Sequence, residues 1–393
     1  MTQSLNPFRL HIDDQFIADL KQRLALSRFP DQAPGDPWAV GSSVSFMHEL
    51  CDYWRNTFDW RAQEAVLNQY EQYKVPLDGI DLHFLKAPGV SADGHPEPMP
   101  LLLAHGWPGS VFEFPDLIDR LINPLKYGQP ASDAFTVIAP SLPGYGLSFR
   151  AGQKRFGVPA IAQCFAQLMT QVLGYSRFGV QGGDWGSHIA SLVGHQNPAQ
   201  IVGVHLNMLP LRRDKPHKPA NDAEARYLNK ELPNFLREEA AYQLIQGTRP
   251  QTLSFGLNDS PLGLAAWMTE KFRAWTDCDG DPLNALSFDQ MLRNISLYWF
   301  TECIGASFWP YYDRMHSPWP LGADETIDVP VGYAQFPCEI YRPPQSLAAR
   351  QYTNIQRWTE MPRGGHFAAM EQPDLLANEI REFFRPLRDG AVS

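Results

Sequence analysis

Two residues in this chain stand out by type and setting as able to do chemistry: an aspartate and a histidine, each set among glycines. Asp184 lies in Gly182-Gly183-Asp184-Trp185-Gly186, with a small residue two before and two after it. His366 lies in Gly364-Gly365-His366-Phe367, and Glu339 closes Phe336-Pro337-Cys338-Glu339 between the two in chain order. A carboxylate with an unperturbed pKa of about 4 is ionised at neutral pH without a helper base. Asp184 can therefore attack an electrophilic carbon directly and become part of an ester. A histidine oriented by an acid can then take a proton from water and free that ester. The pattern points to covalent hydrolysis, with Asp184 as nucleophile, Glu339 as orienting acid and His366 as base.

The elements that must position these groups can be read around them. Phe178, Val180 and their neighbours form a short apolar run that reads as a buried strand, while Ile189, Leu192 and Val193 recur at helical spacing. A strand that turns into a helix at Asp184 between glycines is what a nucleophile elbow requires, because tight strand-helix packing leaves no room for side chains. The central side chain then projects above the strand end into the positive field of the helix N-terminus. It is aspartate where an esterase would carry serine.

Further apolar runs at 101–104, 135–139, 177–181 and 201–206 alternate with helical patterns such as 158–173, and the alternation resumes at 329–334 and 356–359 before a closing helix at 373–384. Such runs predict strands buried on both faces, in a mostly parallel sheet of the α/β class. Asp78-Gly79 between 73–77 and 80–85 is a hairpin signal. Upstream, Asp13 or Asp14 is expected to cap a helix carrying Phe16, Ile17, Leu20, Leu24 and Leu26 at helical period, closed by Pro30. Turn residues fill 30–42, and helices are expected at 43–54 and 60–70. The opening segment has too few periodic apolar positions for its own core, so it should wrap the main domain. Residues 208–320 read as helices without strands, a lid over the strand C-terminal ends. The chain divides into a wrapping segment (1–72), two core parts (73–207 and 321–393) and the helical lid (208–320).

The first strand of the sheet is read as ending in His105-Gly106-Trp107-Pro108-Gly109-Ser110. In an α/β-hydrolase fold this loop supplies one backbone N–H and the residue after the nucleophile supplies another, which makes Trp107 and Trp185 the oxyanion hole. Pro108 fixes the turn, and a cis bond is one way to do so. Asp324, Glu325 and Asp328 precede the 329–334 strand and would lie at its wrong end, which leaves Glu339 as the acid.

With 393 residues, 44% of them hydrophobic and 19% charged, the chain can bury a large core as one elaborated domain or two. A net charge of -10 without lysine or arginine runs argues against a nucleic-acid partner. Five scattered cysteines, an odd number and never in a Cys-x-x-Cys pair, argue against structural zinc and a disulfide framework and for a reducing cytoplasm. No metal-binding or phosphate-cradling motif is present, so no metal or cofactor is expected. Residues 1–16 lack a signal-peptide pattern and no stretch approaches ~20 apolar residues, so no membrane anchor is expected. The 12% aromatic content suits an apolar pocket as well as a core.

Taken together, Gly-Gly-Asp-Trp-Gly-Ser, His-Gly-Trp-Pro-Gly-Ser, Pro-Ser-Leu-Pro-Gly-Tyr-Gly (140–146), Phe-Pro-Cys-Glu and Arg-Gly-Gly-His-Phe-Ala-Ala-Met-Glu (363–371) resemble the microsomal-type epoxide hydrolase family. The likeness runs over nearly the whole chain, from Pro7-Phe8 through 257–267. It implies an α/β-hydrolase fold and conversion of a small apolar epoxide and water to a vicinal diol through an ester of Asp184. It also implies two lid tyrosines that donate protons to, and bind, the epoxide oxygen. One matches Tyr242; the other, thirteen residues after Tyr298, falls on Tyr311, with Tyr312 adjacent and the choice between them open. Trp107 and Trp185 would face the same substrate. The absent anchor is the departure, and the microsomal location is not carried over. A homodimer is compatible with the sequence, which leaves the particular epoxide unspecified. The competing readings are a haloalkane or haloacid dehalogenase using the same aspartate and a hydrolase-fold ligand-binding protein without catalysis.

Overall fold

The apolar runs pair into one sheet in a computed structural model that describes residues 5–91, 97–212, 216–322 and 324–388. Its strands are β1 (Asn6–Pro7), β2 (Glu71–Leu77), β3 (Ile80–Ala87), β4 (Met99–Ala104), β5 (Phe135–Pro140), β6 (Phe178–Gly182), β7 (Ile201–Leu206), β8 (Val331–Gln335) and β9 (Ile355–Glu360). Across the sheet the order is β1-β2-β3-β5-β4-β6-β7-β8-β9. β1 to β3 run antiparallel and β3 joins β5 antiparallel, whereas β5, β4, β6, β7, β8 and β9 are mutually parallel. The β2–β3 hairpin turns where expected, with positive φ at both Asp78 (50°) and Gly79 (84°), as a tight two-residue loop demands. One expectation is corrected. The strand leading into His105 is the fourth in chain order and lies inside the sheet, because the hairpin pairs onto the same sheet ahead of it.

β6 and β7 are buried along their whole length, which is why their sequences show no polar alternation. Helices cover both faces. The N-terminal α1 (Asp14–Ala25), α2 (Val44–Asn56) and α3 (Trp60–Asn68) are followed by α4 (Pro115–Ile122), α5 (Val158–Gln167) and α6 (Asp184–Gln196). Between β7 and β8 come α7 (Asp222–Arg226), α8 (Leu232–Glu238), α9 (Ala241–Thr248), α10 (Pro250–Asp259), α11 (Pro261–Trp275), α12 (Phe288–Thr301), α13 (Ile304–Ser307) and α14 (Trp309–His316). The chain closes with α15 (Gln345–Ala348), α16 (Ala368–Glu371) and α17 (Pro373–Arg388). α5 and α6 pack together on one face, α4 and α17 on the other. Adjacent residues of β7 show the split: Gly203 meets Phe383 of α17, while Val204 meets Gly194 of α6.

The first helix departs from its reading. It ends at Ala25, short of Pro30, and Asp13 makes no side-chain capping bond. Leu20 and Leu24 are buried, but Phe16 is 53% and Leu26 81% exposed, so α1 seats a narrower stripe than its periodicity suggests. It is pressed between α2 and α11. The helix expected over 158–173 is regular only to Gln167 and then widens into a π turn at Leu168–Val172. The closing helix runs past 384 to Arg388, with Pro386 in its last turn.

The N-terminal helices hold mainly to the helices inserted after β7. Trp54 Nε1 donates to Ser296 Oγ at 2.9 Å, Tyr53 OH to Asp289 at 3.0 Å, Ser42 Oγ to the Ala266 carbonyl at 2.8 Å, and Arg23 to Asp259 at 3.1 Å.

The tightest passage in the fold is where α6 leaves β6. A Cβ on Gly186 would stand 1.9 Å from the Ala104 carbonyl oxygen, so strand and helix backbones touch there with nothing between. Glycine to alanine inside a helix ordinarily stabilises by roughly 0.5–1 kcal/mol. Gly186→Ala should reverse that sign and cost about 2 kcal/mol or more by overpacking. Urea unfolding checks it, and an unchanged midpoint would show that the approach has slack.

Candidate active site

The elbow is built as the glycines imply. Asp184 sits at φ 48°, a left-handed conformation costing a non-glycine residue roughly 1–2 kcal/mol, directly at the start of α6. The loop leaving β4 runs alongside and contains a cis Trp107-Pro108 bond. Trp107 N–H donates to Asp184 Oδ1 at 2.8 Å. Gly106 allows that approach, since a Cβ there would stand 2.2 Å from the same oxygen. Trp185 follows in the first turn of α6, where backbone N–H groups have no intrahelical acceptor.

On its other oxygen Asp184 meets the histidine. Asp184 Oδ2 lies 3.3 Å from His366 Nε2, and His366 Nδ1 lies 2.8 Å from Glu339 Oε1. The Ile340 N–H also donates to that Glu339 oxygen, at 2.7 Å. Glu339 follows the C-terminal end of β8, on the site side. Asp328 instead accepts from Thr326 and Thr353, and Glu325 lies 3.5 Å from His195, both ahead of β8. The acid and histidine loops are held from the inserted helices. His366 N–H donates to the Trp275 carbonyl at 2.8 Å, and Asp277 takes the Gly364 N–H at 2.8 Å and the Cys338 thiol at 3.4 Å.

Side-chain exposure is 14% for Asp184, 2% for His366 and 0% for Glu339, so these charges interact with little water between them. Burial by itself pulls the imidazole pKa down. The Glu339 and Asp184 carboxylates outweigh it and hold His366 well above the ordinary histidine range.

A cavity of about 250 Å³ opens above Asp184, lined also by Trp185, Tyr242, Tyr311, Met208, Leu211, Trp319 and Ile340. Tyr242 comes from α9 and Tyr311 from α14, with ring centroids 5.7 Å apart. Burial, reinforced by nearby negative charge, raises both phenols well above the ordinary tyrosine range, so each remains a proton-bearing donor. Tyr312 turns elsewhere, stacked on His316 at 4.1 Å and against Trp309 at 5.0 Å. Trp107 packs on Tyr242 at 5.4 Å and Trp185 on Tyr311 at 4.7 Å, so the tryptophans of the β4 loop and the elbow brace the phenols.

The sequence reading missed a set of groups behind the loop that leaves β4. Asn294 Nδ2 donates to the Pro108 carbonyl, Ser110 Oγ donates to Asn294 Oδ1 at 2.6 Å, and Tyr298 OH donates to the Gly109 carbonyl at 2.7 Å. Asn294 and Tyr298 are buried on α12. Their only sequence signal is polar atoms on an otherwise apolar helix face. Among the described residues no group of three or more His, Cys, Asp or Glu side chains is placed to hold a metal ion, and no helix is long and apolar enough to cross a membrane.

One measurement tests the electrostatics directly. A histidine whose pKa is raised by folding adds stability below its unfolded value near 6.5, and that stability is lost as pH rises through the folded value. NMR titration of the His366 ring nitrogens should find the cation persisting above pH 6.5, with the midpoint falling in Asp184→Asn. A ring already neutral at pH 6 would contradict the picture.

Comparison with known proteins agrees with this geometry. Residues 5–114 match the family described as epoxide hydrolase N terminus, and residues 99–251 match the alpha/beta hydrolase fold family. Epoxide hydrolase 1 of Oryctolagus cuniculus is 35% identical over 406 residues, covering 97% of this chain and 89% of the relative. The crystal structure of juvenile hormone epoxide hydrolase from the silkworm Bombyx mori superposes with a TM-score of 0.86 at 29% identity, covering 99% of this chain and 96% of that one. Aspergillus niger epoxide hydrolase superposes at 0.84 with 30% identity, covering 98% and 97%. With an aspartate at the elbow, a buried histidine-glutamate pair beside it and relatives matched along nearly their whole length, the chain belongs to the epoxide hydrolase family of the α/β-hydrolase fold.

Proposed function

We propose that this epoxide hydrolase opens a small apolar epoxide by back-side attack of Asp184 and frees the resulting ester with water activated by His366. The observation that carries the reading is the placement of one carboxylate between a backbone donor and a histidine, at the floor of a cavity that also holds two phenols. In the first step Asp184 Oδ2 bonds to an epoxide carbon and the ring carbon–oxygen bond breaks. The departing oxygen takes a proton from Tyr242 or Tyr311, a contribution of roughly a hundredfold or more. Esterification removes the Asp184 charge, so the His366 cation loses one of its two supports and sheds its proton, which restores the phenol. In the second step His366, held by Glu339, takes a proton from water as the water oxygen adds to the Asp184 carbonyl carbon. The Trp107 N–H, already on Oδ1, and the Trp185 N–H stabilise the oxyanion. Collapse releases the diol and returns Asp184 to carboxylate and His366 to cation.

The side chains of Met208, Leu211, Trp319 and Ile340 favour an apolar substrate. In this reading residues 208–320 act as a lid over core parts 73–207 and 321–393, and residues 1–72 brace the lid. A reducing, cytoplasmic setting suits five cysteines that are all free.

Intact-protein mass after mixing with an epoxide is the direct test. His366→Gln should accumulate an adduct of protein plus substrate, Asp184→Asn should form none and turn nothing over, and absence of the adduct in the histidine variant would overturn the scheme. Tyr242→Phe and Tyr311→Phe should each slow ester formation by about a hundredfold, whereas Tyr312→Phe should leave it unchanged. Tyr298→Phe strands a buried carbonyl of the oxyanion loop at a cost of about 1–3 kcal/mol; a tenfold or larger fall in kcat with near-normal KM is expected. Because His366 must be neutral to act as base, single-turnover hydrolysis of the ester should rise with pH, and a rate flat from pH 5 to 9 would exclude it.

A further inference from the structure

A second cavity shares Asp184 with the phenol-lined one. It has a volume of about 20 Å³, and its lining includes His366, Glu113, Gln181 and Asn207 but neither tyrosine. Trp107, Phe114, Phe367 and Leu376 also line it, but Asp184, His366 and Glu113 supply converging polar groups, and a space of that size holds about one water. Glu113 ends the single turn Val111–Glu113 that follows the oxyanion loop. It keeps some accessible surface, yet protein surrounds it on all sides, so that surface faces the cavity. The two glycines of His-Gly-Trp-Pro-Gly-Ser divide the labour here. A Cβ on Gly106 would stand 2.2 Å from Asp184 Oδ1, and one on Gly109 would stand 1.5 Å from Glu113 Oε1. The loop is thus cut away twice, once for the nucleophile and once for Glu113.

Nothing in the mechanism above uses this carboxyl, and a purely structural role does not call for one. An enclosed carboxylate is costly to ionise, and an amide or hydroxyl would serve a loop bond as well. The groups facing it are His366 and Asp184 across the cavity, the Tyr298 phenol from α12, and the backbone of Gly106 and Ser110. Burial raises its pKa, His366 opposes, and Asp184 adds to the rise, for a net value of about 8. Glu113 is therefore largely protonated at neutral pH in the resting enzyme and leaves Asp184 as the charged nucleophile. Esterification removes the Asp184 charge as His366 sheds its proton, so both charged neighbours of Glu113 are neutralised together and burial alone then places its ionisation on the alkaline side of neutrality.

We propose that Glu113 is a positioning residue for ester hydrolysis: it accepts one O–H of the attacking water while the other O–H points to His366 Nε2, which holds the oxygen against the Asp184 carbonyl carbon. The proton balance of the second step is unaltered. The hydrogen taken by His366 returns to the departing alkoxy oxygen, and the hydrogen held by Glu113 stays on the new carboxyl until Asp184 reionises.

This assignment rests on the covalent scheme, and the experiment separates the two. Rapid mixing with an epoxide, followed by tryptophan fluorescence and quenched-flow mass measurement, gives ester formation and ester hydrolysis separately. In Glu113→Gln, formation should change less than about threefold, whereas hydrolysis should slow about tenfold or more. The rising pH profile of hydrolysis should also lose one of its two ionisations, and Glu113→Asp should restore it. Wild-type hydrolysis with an unchanged profile in Glu113→Gln, or equal slowing of both steps, overturns the proposal. If His366→Gln forms no adduct, the covalent scheme itself fails and takes this assignment with it. If that adduct forms while Glu113→Gln hydrolyses normally, only the role of Glu113 falls.

Discussion

Strand β4 and helix α6 touch backbone to backbone at Ala104 and Gly186, and the geometry of the site hangs on that contact. β4 continues into the loop that presents the Trp107 N–H, and α6 begins with Asp184. Donor and carboxylate are thus set against each other by main chain, which has fewer soft torsions than side chains and relaxes less. The left-handed backbone at Asp184 is sustained because the sheet on one side and the helix on the other leave it no alternative.

Around that fixed point two carboxylates flank one imidazole. A buried imidazolium between two carboxylates is stable because each anion lowers the cost of its burial. In the scheme proposed above, turning one anion into an ester would unbalance the trio and leave a base where there was a cation. The inserted helices take part in this arrangement as well as covering it. α9 and α14 bring the phenols, the end of α11 receives the His366 N–H, and α12 bonds the loop after β4 from behind.

Asp184, Glu339 and His366 were legible because each sits in a turn punctuated by glycine or proline at a strand end, a local signal. The sheet was legible for a related reason: strands buried on both faces leave unbroken apolar runs. Tyr242 and Tyr311 were not readable from their own surroundings, where an aromatic on a helix is ordinarily packing, and only the family resemblance singled them out. Phe16 and Leu26 misled because helical period reports which residues share a face, not whether a neighbour covers all of it. Asn294, Tyr298 and Glu113 escaped because their meaning lies in partners brought close by the fold, up to 189 residues away in sequence.

The attachment of the first three helices to the insert has a practical side for anyone exchanging parts between relatives. Ser42 is bonded to α11, Trp54 to α12 and Tyr53 to the start of α12, so the opening segment and the insert form one mechanical unit although some 150 residues of sheet-forming chain separate them. A chimera that grafts a new pocket by replacing only the helices after β7 would mate them with a foreign brace. The exchangeable module is discontinuous, and both pieces have to travel together.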